Sequence, residues 1–200
     1  VWQLYMSENW SVDIIVDFWN YRRSHQSEAV LTSYNNILGT YGSSIKDSWP
    51  LFTTWNYATG ARYEAGFGYH DAQDYPTGSP QRQINSYTSI YNGAAVQHLA
   101  ANFIRCLSIA EAGKYAQVTF NGANTAAAMS LTAFVRPTAV GYYYYEFDLD
   151  ANNDGVFVLP VDLGGVYEIG FIIGNGAVSG AGQTYTITIE KVAGQSTPVG

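Results

Sequence analysis

The sequence predicts an α+β protein in which a small N-terminal helical subdomain is followed by an antiparallel, jelly-roll-like β-sandwich. Apolar residues recur with a period of about 3.6 over residues 1–60, and they alternate with a period of two from residue 84 onward. Between these patterns, glycine and proline cluster in residues 60–82. We therefore expect a helical subdomain with its connecting loop at residues 1–80 and a sandwich domain at residues 81–200.

The first predicted helix, SVDIIVDFWNYRR, is apolar on two faces. Ser11 is suited to cap its start, and Arg22 and Arg23 lie near its C-terminal end, where the helix dipole favours cations. Because both faces are apolar, we expect several neighbours to pack around this helix. The two stripes are Val12, Ile15, Val16 and Trp19, and Ile14, Phe18 and Tyr21. By their spacing, five tryptophans are expected in the core: Trp2, Trp10, Trp19, Trp49 and Trp55.

Two further helices are predicted before the pattern changes. One covers residues 27–38 and stops at Gly39, a residue that suits a helix C-terminus. The other begins near residues 47–48, carries Pro50 in its first turn and ends before Gly60. The short connections predict that these helices are antiparallel neighbours.

Strand-like runs separated by Gly, Asn or Pro follow residue 84 and predict seven to nine strands in a sandwich or jelly roll. Tyr185, Ile187 and Ile189 alternate with threonines, which indicates a half-buried strand. The unbroken apolar run at residues 171–173 predicts a central strand. The runs are INSYTSIYN, HLAANFIRCLSIA, YAQVTFNG, AMSLTAFVRP, VYEIGFIIGN and QTYTITIEKV.

Residues 142–163, YYYYEFDLDANNDGVFVLPVDL, predict a β-hairpin with an acidic turn at the centre of the sandwich. Asn, Asp and Gly at residues 152–155 suit the turn because they tolerate positive φ. Alternation places Tyr143, Tyr145, Phe147 and Leu149 on one face, which we expect to be buried. The other face carries Tyr142, Tyr144, Glu146, Asp148 and Asp150.

Four oxygen-bearing side chains stand at every second position of the acidic turn: Asp148, Asp150, Asn152 and Asp154. The early ligands of a calcium loop have this spacing, because Ca²⁺ is held by several oxygen atoms. The match is partial, since the glycine comes one place late and no glutamate closes the loop. Two interpretations stay open, a calcium site and a plain solvated hairpin.

Two tyrosines of the acidic face, Tyr142 and Tyr144, are candidates for a binding surface. Exposed tyrosines on a sandwich can stack on sugar rings or form a protein interface. The alternative is a tyrosine-covered sheet face that packs against the helical half. The exposure of these two rings distinguishes the interpretations.

The sequence shows no complete catalytic set. There is no Gly-x-Ser-x-Gly motif, and Cys106 lies in an apolar segment that predicts a buried, inert thiol. His25, His70 and His98 lack the spacing of a zinc motif, so no zinc site is expected in this chain. His70 has Asp71 and Asp74 nearby in sequence and is either an acid/base or ligand group or an exposed loop histidine.

Composition narrows the class of protein. The net charge of −7, with no basic run longer than two residues, argues against nucleic-acid binding. No apolar run is long enough to span a membrane. With 17 Tyr, 20 Gly and few lysines, the chain resembles secreted or cell-surface proteins in composition. It begins at Val1 within a helix-like pattern, so we expect a processed or truncated piece.

Three segments carry a resemblance to a known family: VWQLYMSENWSVDIIVDFW, WNYATGARY with YHDAQDYP after it, and HLAANFIRCLSIAEAGKYAQVTFNG leading to TYTITIEKV. With them, most of the chain resembles the C-terminal portion of secreted bacterial zinc metalloproteases of the myxobacterial type. The family's His-Glu-x-x-His helix would lie upstream, so the resemblance assigns no catalytic residue here.

The resemblance implies a non-catalytic structural or binding portion of a secreted metalloprotease-like protein. Such a protein is a protease only if a zinc-binding segment is supplied upstream or by another chain. The expected partners are the remainder of a larger precursor or another copy of the chain. The alternative function is an extracellular glycan-binding module, or one that self-assembles at a surface or in a filament.

Overall fold

The structure, a computed structural model, describes residues 1–87, 89–122 and 128–194. These residues contain four α-helices followed by nine β-strands, with short 3-10 helices at Gly60–Arg62, Ala72–Asp74 and Leu163–Gly165. The helices are α1 (Trp2–Asn9), α2 (Asp13–Ser24), α3 (Val30–Thr40) and α4 (Ile45–Tyr57). The strands are β1 (Arg82–Ile84), β2 (Ser89–Val96), β3 (Ala100–Leu107), β4 (Lys114–Asn121), β5 (Met129–Pro137), β6 (Tyr143–Phe147), β7 (Asp154–Val158), β8 (Val166–Asn175) and β9 (Gln183–Ala193).

The predicted helices are present, with shifted ends. The Ser11 hydroxyl accepts a hydrogen bond from the Asp13 backbone N–H at 3.1 Å, but the N-cap of α2 is Val12, so Ser11 lies one residue before the capping position predicted for it. Helix α4 begins earlier than predicted, because the Ser44 side chain caps it by accepting from Asp47 N–H at 3.1 Å. Pro50 therefore lies inside α4 and not in its first turn.

One expectation for α2 is wrong. Ile14 and Phe18 are buried, but most of the other stripe faces solvent: Val12, Val16 and Trp19 are 67%, 53% and 57% exposed. Among the described residues, α2 packs mainly against α1 and α3, which cover one side of it. Amphipathic spacing identified a helix but could not show how many of its faces have a neighbour.

The strands form two stacked sheets with the strand order of a jelly roll, so the predicted fold class is confirmed. The five-stranded sheet has the order β1-β3-β8-β5-β6, and the four-stranded sheet has the order β2-β9-β4-β7. All neighbouring strands are antiparallel except β1 and β3. From β2 to β5 the chain alternates between the sheets, β5 and β6 are neighbours in one sheet, and alternation resumes from β7.

The predicted hairpin of residues 142–163 is wrong. Strand β6 pairs with β5 in the five-stranded sheet, and β7 pairs with β4 in the four-stranded sheet. The acidic segment between them is therefore an arch that crosses from one sheet to the other. Alternation identified both strands, but it carries no information on which neighbour completes each ladder.

Two hydrophobic cores share the five-stranded sheet. The sandwich core lies between the sheets and includes Phe171 and Ile173, while Ile172 between them belongs to the helical core on the opposite face. The predicted central strand is thus β8, which is covered on both faces. Alternating side chains of one strand serve two cores because successive residues point to opposite faces of a sheet.

The helical core packs closely onto β8. The Tyr57 ring of α4 occupies the space above Gly170, where an added Cβ would lie 2.2 Å from the ring. Gly170 therefore permits an approach that a larger residue would prevent. No helix in the described part of the chain is long and apolar enough to cross a membrane.

Candidate functional site

A groove of about 200 Å³ lies where α4, β5 and the acidic arch meet. Its walls come from both parts of the fold, since α4 belongs to the helical part and the arch links the two sheets. The groove is rich in carboxylates and has one amine nearby. The charged residues that line it are Lys46, Asp47, Glu146, Asp148 and Asp150.

Glu146 is the electrostatically perturbed residue of this groove. Glu146 is exposed on β6, and partial desolvation beside the groove is the main cause that raises the pKa of its carboxyl; the nearby carboxylates of Asp148 and Asp47 raise it further. The Tyr144 hydroxyl donates a hydrogen bond to Glu146 Oε2 at 3.1 Å and acts in the opposite direction. The groove therefore disfavours a further negative charge and suits a cationic group.

The arch carries the residues predicted to bind calcium. Asp150 Oδ1 accepts hydrogen bonds from the backbone N–H groups of Asn152 (2.7 Å) and Asp154 (2.9 Å). Asp154 Oδ1 accepts from the Gly122 N–H at 3.0 Å, which ties the arch to the end of β4. Asp148 and Asn152 have exposed side chains. Two of the four residues thus hold the turn together.

No three His, Cys, Asp or Glu side chains within the described ranges are grouped so that they could hold a metal ion. The four predicted ligands are spread along the arch, so calcium binding would include a rearrangement of this segment. Calcium at Asp148, Asp150, Asn152 and Asp154 stays a prediction.

Tyr142 and Tyr144 face the helical part and are partly buried against its core. Phe67 packs against both rings, with centroid distances of 4.8 Å to Tyr142 and 5.7 Å to Tyr144. The Tyr142 hydroxyl also donates to the Gly66 carbonyl at 3.2 Å. These contacts favour the packing interpretation, and a binding role for the two tyrosines stays a prediction.

The opposite face of the segment turns towards the sandwich core. Phe147 is buried there, and Tyr145 and Leu149 pack against it, as predicted. Tyr143 lies at the start of β6 and is 46% exposed, so its predicted burial is wrong. The face alternates as expected, but its first residue is exposed although it pairs with Val135 of β5.

A second cluster, centred on the buried carboxylate of Glu168 in β8, was not predicted. The side chain of Glu168 is 0% exposed. Its Oε1 accepts from the Tyr57 hydroxyl at 2.8 Å and from Arg62 Nε at 3.2 Å. Its Oε2 accepts from Arg105 Nε and Nη2 at 2.9 and 2.7 Å, and Arg136 Nη1 lies 3.6 Å away. We call these residues the Glu168 cluster.

The Glu168 cluster connects distant parts of the sequence. Tyr57 and Arg62 come from the end of α4 and the loop after it, and the Arg62 guanidinium lies 4.4 Å from the centre of the Tyr57 ring. Burial is the main cause that raises the pKa of the Tyr57 hydroxyl, and the adjacent Glu168 carboxylate adds to it. The hydroxyl therefore stays protonated and acts as a donor.

The other candidate groups do not form a catalytic set. Cys106 is fully buried, and burial raises the pKa of its thiol, so it is not a reactive nucleophile. The His70 ring lies 2.9 Å from the Asp71 carboxylate, and both side chains are exposed. This geometry matches the exposed loop histidine that the sequence left as one interpretation.

Comparison with known proteins does not assign the chain to a family. No family model matches it, and no curated protein sequence matches it either.

Replacing Glu168 by glutamine should strongly destabilise the protein. The variant keeps the side-chain shape but leaves Arg62, whose side chain is 4% exposed, without its counter-charge. We expect the free energy of unfolding to fall by about 3–5 kcal/mol in urea titrations. Glu111→Gln is the matched control, because Glu111 is 49% exposed in its pair with Lys191 and should change stability by less than about 1 kcal/mol. Equal effects of the two variants would contradict this role.

Replacing Glu146 by glutamine should change how stability depends on pH. Because folding raises the pKa of Glu146 above 4.5, the native state holds this proton more tightly than the unfolded chain does. The stabilisation that the protonated Glu146 carboxyl provides is complete at a pH below the pKa of the unfolded chain. It is lost as the pH rises through the higher pKa that Glu146 has in the folded state. We expect Glu146→Gln to raise the melting temperature at neutral pH and to have little effect at pH of about 4.

Asp148→Asn tests the assigned cause, because Asp148 contributes to the raised pKa of Glu146. We expect Asp148→Asn to reduce in part the pH dependence of the melting temperature that Glu146 causes, whereas Glu146→Gln should remove this contribution. A melting curve of Glu146→Gln that follows the parent at every pH would contradict the assignment.

If calcium binds the arch, it should raise the melting midpoint of the protein. A ligand at 100 times its Kd stabilises the folded state by about 2.7 kcal/mol. Asp148→Asn should abolish the rise, since it removes an exposed carboxylate and leaves the turn bonds of Asp150 and Asp154 in place. Magnesium serves as the control for non-specific salt effects. The absence of a shift in millimolar calcium would rule the site out.

Proposed function

We propose that this chain is the non-catalytic structural and binding portion of a secreted metalloprotease-like protein. The observation that carries the proposal is the position of the segments WNYATGARY and YHDAQDYP, on which much of the family resemblance rests. In the structure these segments form the joint between the helical part and the sandwich. In the first segment the side chains of Asn56, Thr59 and Arg62 make contacts within the fold, whereas His70 and Asp71 of the second are exposed.

The joint is held by hydrogen bonds within and around these two segments. The Tyr69 hydroxyl donates to Asn56 Oδ1 at 2.9 Å, and the Thr59 hydroxyl donates to the Pro76 carbonyl at 2.9 Å. Arg62, which belongs to the Glu168 cluster, also donates to the Gly78 carbonyl at 2.6 Å. These contacts support a structural role for the residues that carry the resemblance.

The groove beside the arch supports the binding part of the proposal. Carboxylates of α4, β6 and the arch line it, and the raised pKa of Glu146 reflects partial desolvation first and repulsion from Asp148 and Asp47 second. A cation or a basic side chain would relieve this repulsion. Proteolysis itself would need a zinc-binding segment supplied upstream or by another chain.

The test compares this chain with the full-length product of its gene. We expect the chain alone to leave a labelled casein substrate intact in the presence of zinc, and the full-length product to cleave it until a chelator removes the metal. Chelator-sensitive cleavage by the chain alone would contradict a non-catalytic role. A gene that encodes no His-Glu-x-x-His motif upstream would remove the metalloprotease assignment.

A second candidate function is an extracellular glycan-binding or self-assembling surface or filament module. It is favoured by the outer face of the four-stranded sheet, where Ile90 and Val156 are 69% and 63% exposed. Between them the sheet presents threonine side chains on β9 and β4. Glycan arrays and light scattering separate the two versions, because glycan binding gives a ligand signal and self-assembly gives a rise in mass with concentration.

A further inference from the structure

The four-stranded sheet has two open edges. Strands β2 and β7 each pair on one side only within the part of the chain that the structure describes. Such edges present unpaired backbone N–H and C=O groups, which favour the addition of another strand. The edges of the other sheet are less suitable, because β1 has three residues and β6 carries the carboxylate of Glu146.

The two open edges match in length and have little charge. The regular pairing of β2 covers residues 89–93, before a register shift between Gly93 and Val96. Strand β7, Asp154–Val158, also has five residues. Residues 89–93 contain no charged residue and no proline, and β7 has one charge at its first position. The edges thus lack most of the features with which proteins block edge pairing.

A row of β-branched residues crosses the outer face of this sheet from one edge to the other. The ladders place Ile90 beside Thr188, Thr188 beside Thr119, and Thr119 beside Val156. Ile90 and Val156, at the two ends of the row, are 69% and 63% exposed. Each edge therefore ends in an exposed apolar side chain that, among the described strands, has a ladder partner on one side only.

The direction and register of the two edges are compatible. Three successive antiparallel pairings separate β2 from β7, so the two strands run in opposite directions. In an antiparallel sheet a residue directs its N–H and C=O to one neighbour, so hydrogen-bonded and non-hydrogen-bonded pairs alternate along a row. Three pairs separate Ile90 from Val156 along the row. The two residues therefore either both direct their backbone N–H and C=O outward from the sheet edges or both direct them inward. A copy shifted along the row can therefore continue the ladder.

We propose that strand β7 of one copy pairs with strand β2 of a second copy. Val156 then lies opposite Ile90 of the next copy, Asp154 opposite Asn92, and Gly155 opposite Tyr91. The pairing rests on the second candidate function, self-assembly, and it names the surfaces that carry it. Because the two surfaces differ, every assembly keeps one open edge at each of its two ends and grows as a linear filament.

Single-edge variants test the pairing. Ile90→Lys blocks β2, Val156→Lys blocks β7, and neither should unfold the protein because both side chains are exposed. In size-exclusion chromatography with light scattering, we expect the mass of the parent protein to rise with concentration beyond two copies. Each variant alone should stay at 21.9 kDa. A mixture of the two should reach twice that mass and stop there, since only one productive pairing is left.

Val16→Lys is the matched control, because Val16 is 53% exposed on α2 and lies outside the sheet. It should assemble like the parent protein, and circular dichroism checks that every variant is folded. If Val156→Lys forms dimers by itself, β2 pairs with β2 and the proposed pairing is wrong. If assembly persists in both edge variants but is lost in Val16→Lys, the chain self-assembles but the proposed pairing of β7 with β2 is wrong. A parent protein that stays monomeric at all concentrations overturns both.

Discussion

The fold depends on one buried carboxylate. Glu168 lies at the face of β8 that receives the helical part, and moving a charge of this kind out of water costs several kcal/mol unless partners compensate. Compensation comes from α4, the loop after it and strands β3 and β5 through Tyr57, Arg62, Arg105 and Arg136. All of these elements must be in place together, so we infer that the cluster fixes how the helical part docks on the sheet.

Strand β8 contributes side chains to the cores of both parts. Its Ile172 belongs to the helical core and its neighbours Phe171 and Ile173 belong to the sandwich core. Without the helices, Ile172 and Phe134 would be exposed on the sheet face, and without the sheet the helical core would lose one wall. Gly170 allows the Tyr57 ring to reach the sheet and to place its hydroxyl on Glu168. The two cores are therefore distinct in composition but coupled in stability.

Local pattern in the sequence was sufficient for the fold class and for most strands. Alternation identified the buried face of β9, and the unbroken run at residues 171–173 identified the central strand. The Glu168 cluster was not predictable, because its members come from four separate regions and no spacing rule links them. The exposure of Trp19 was not predictable either, since a helical stripe does not report whether a neighbour covers it. Both failures concern tertiary contacts, which periodicity does not encode.

The crossing of the acidic arch explains both the groove and the open edge. In a hairpin, residues 142–163 would have kept their carboxylates along one pair of strands. The crossing instead leaves Glu146 and Asp148 beside the first turn of α4, where Asp47 adds a further carboxylate, and carries Asp154 to the other sheet. It also makes β7 an edge strand, because its partner β4 is its only neighbour among the described strands. One change in connectivity thus forms an acidic groove at one end of the arch and exposes Val156 beyond the other.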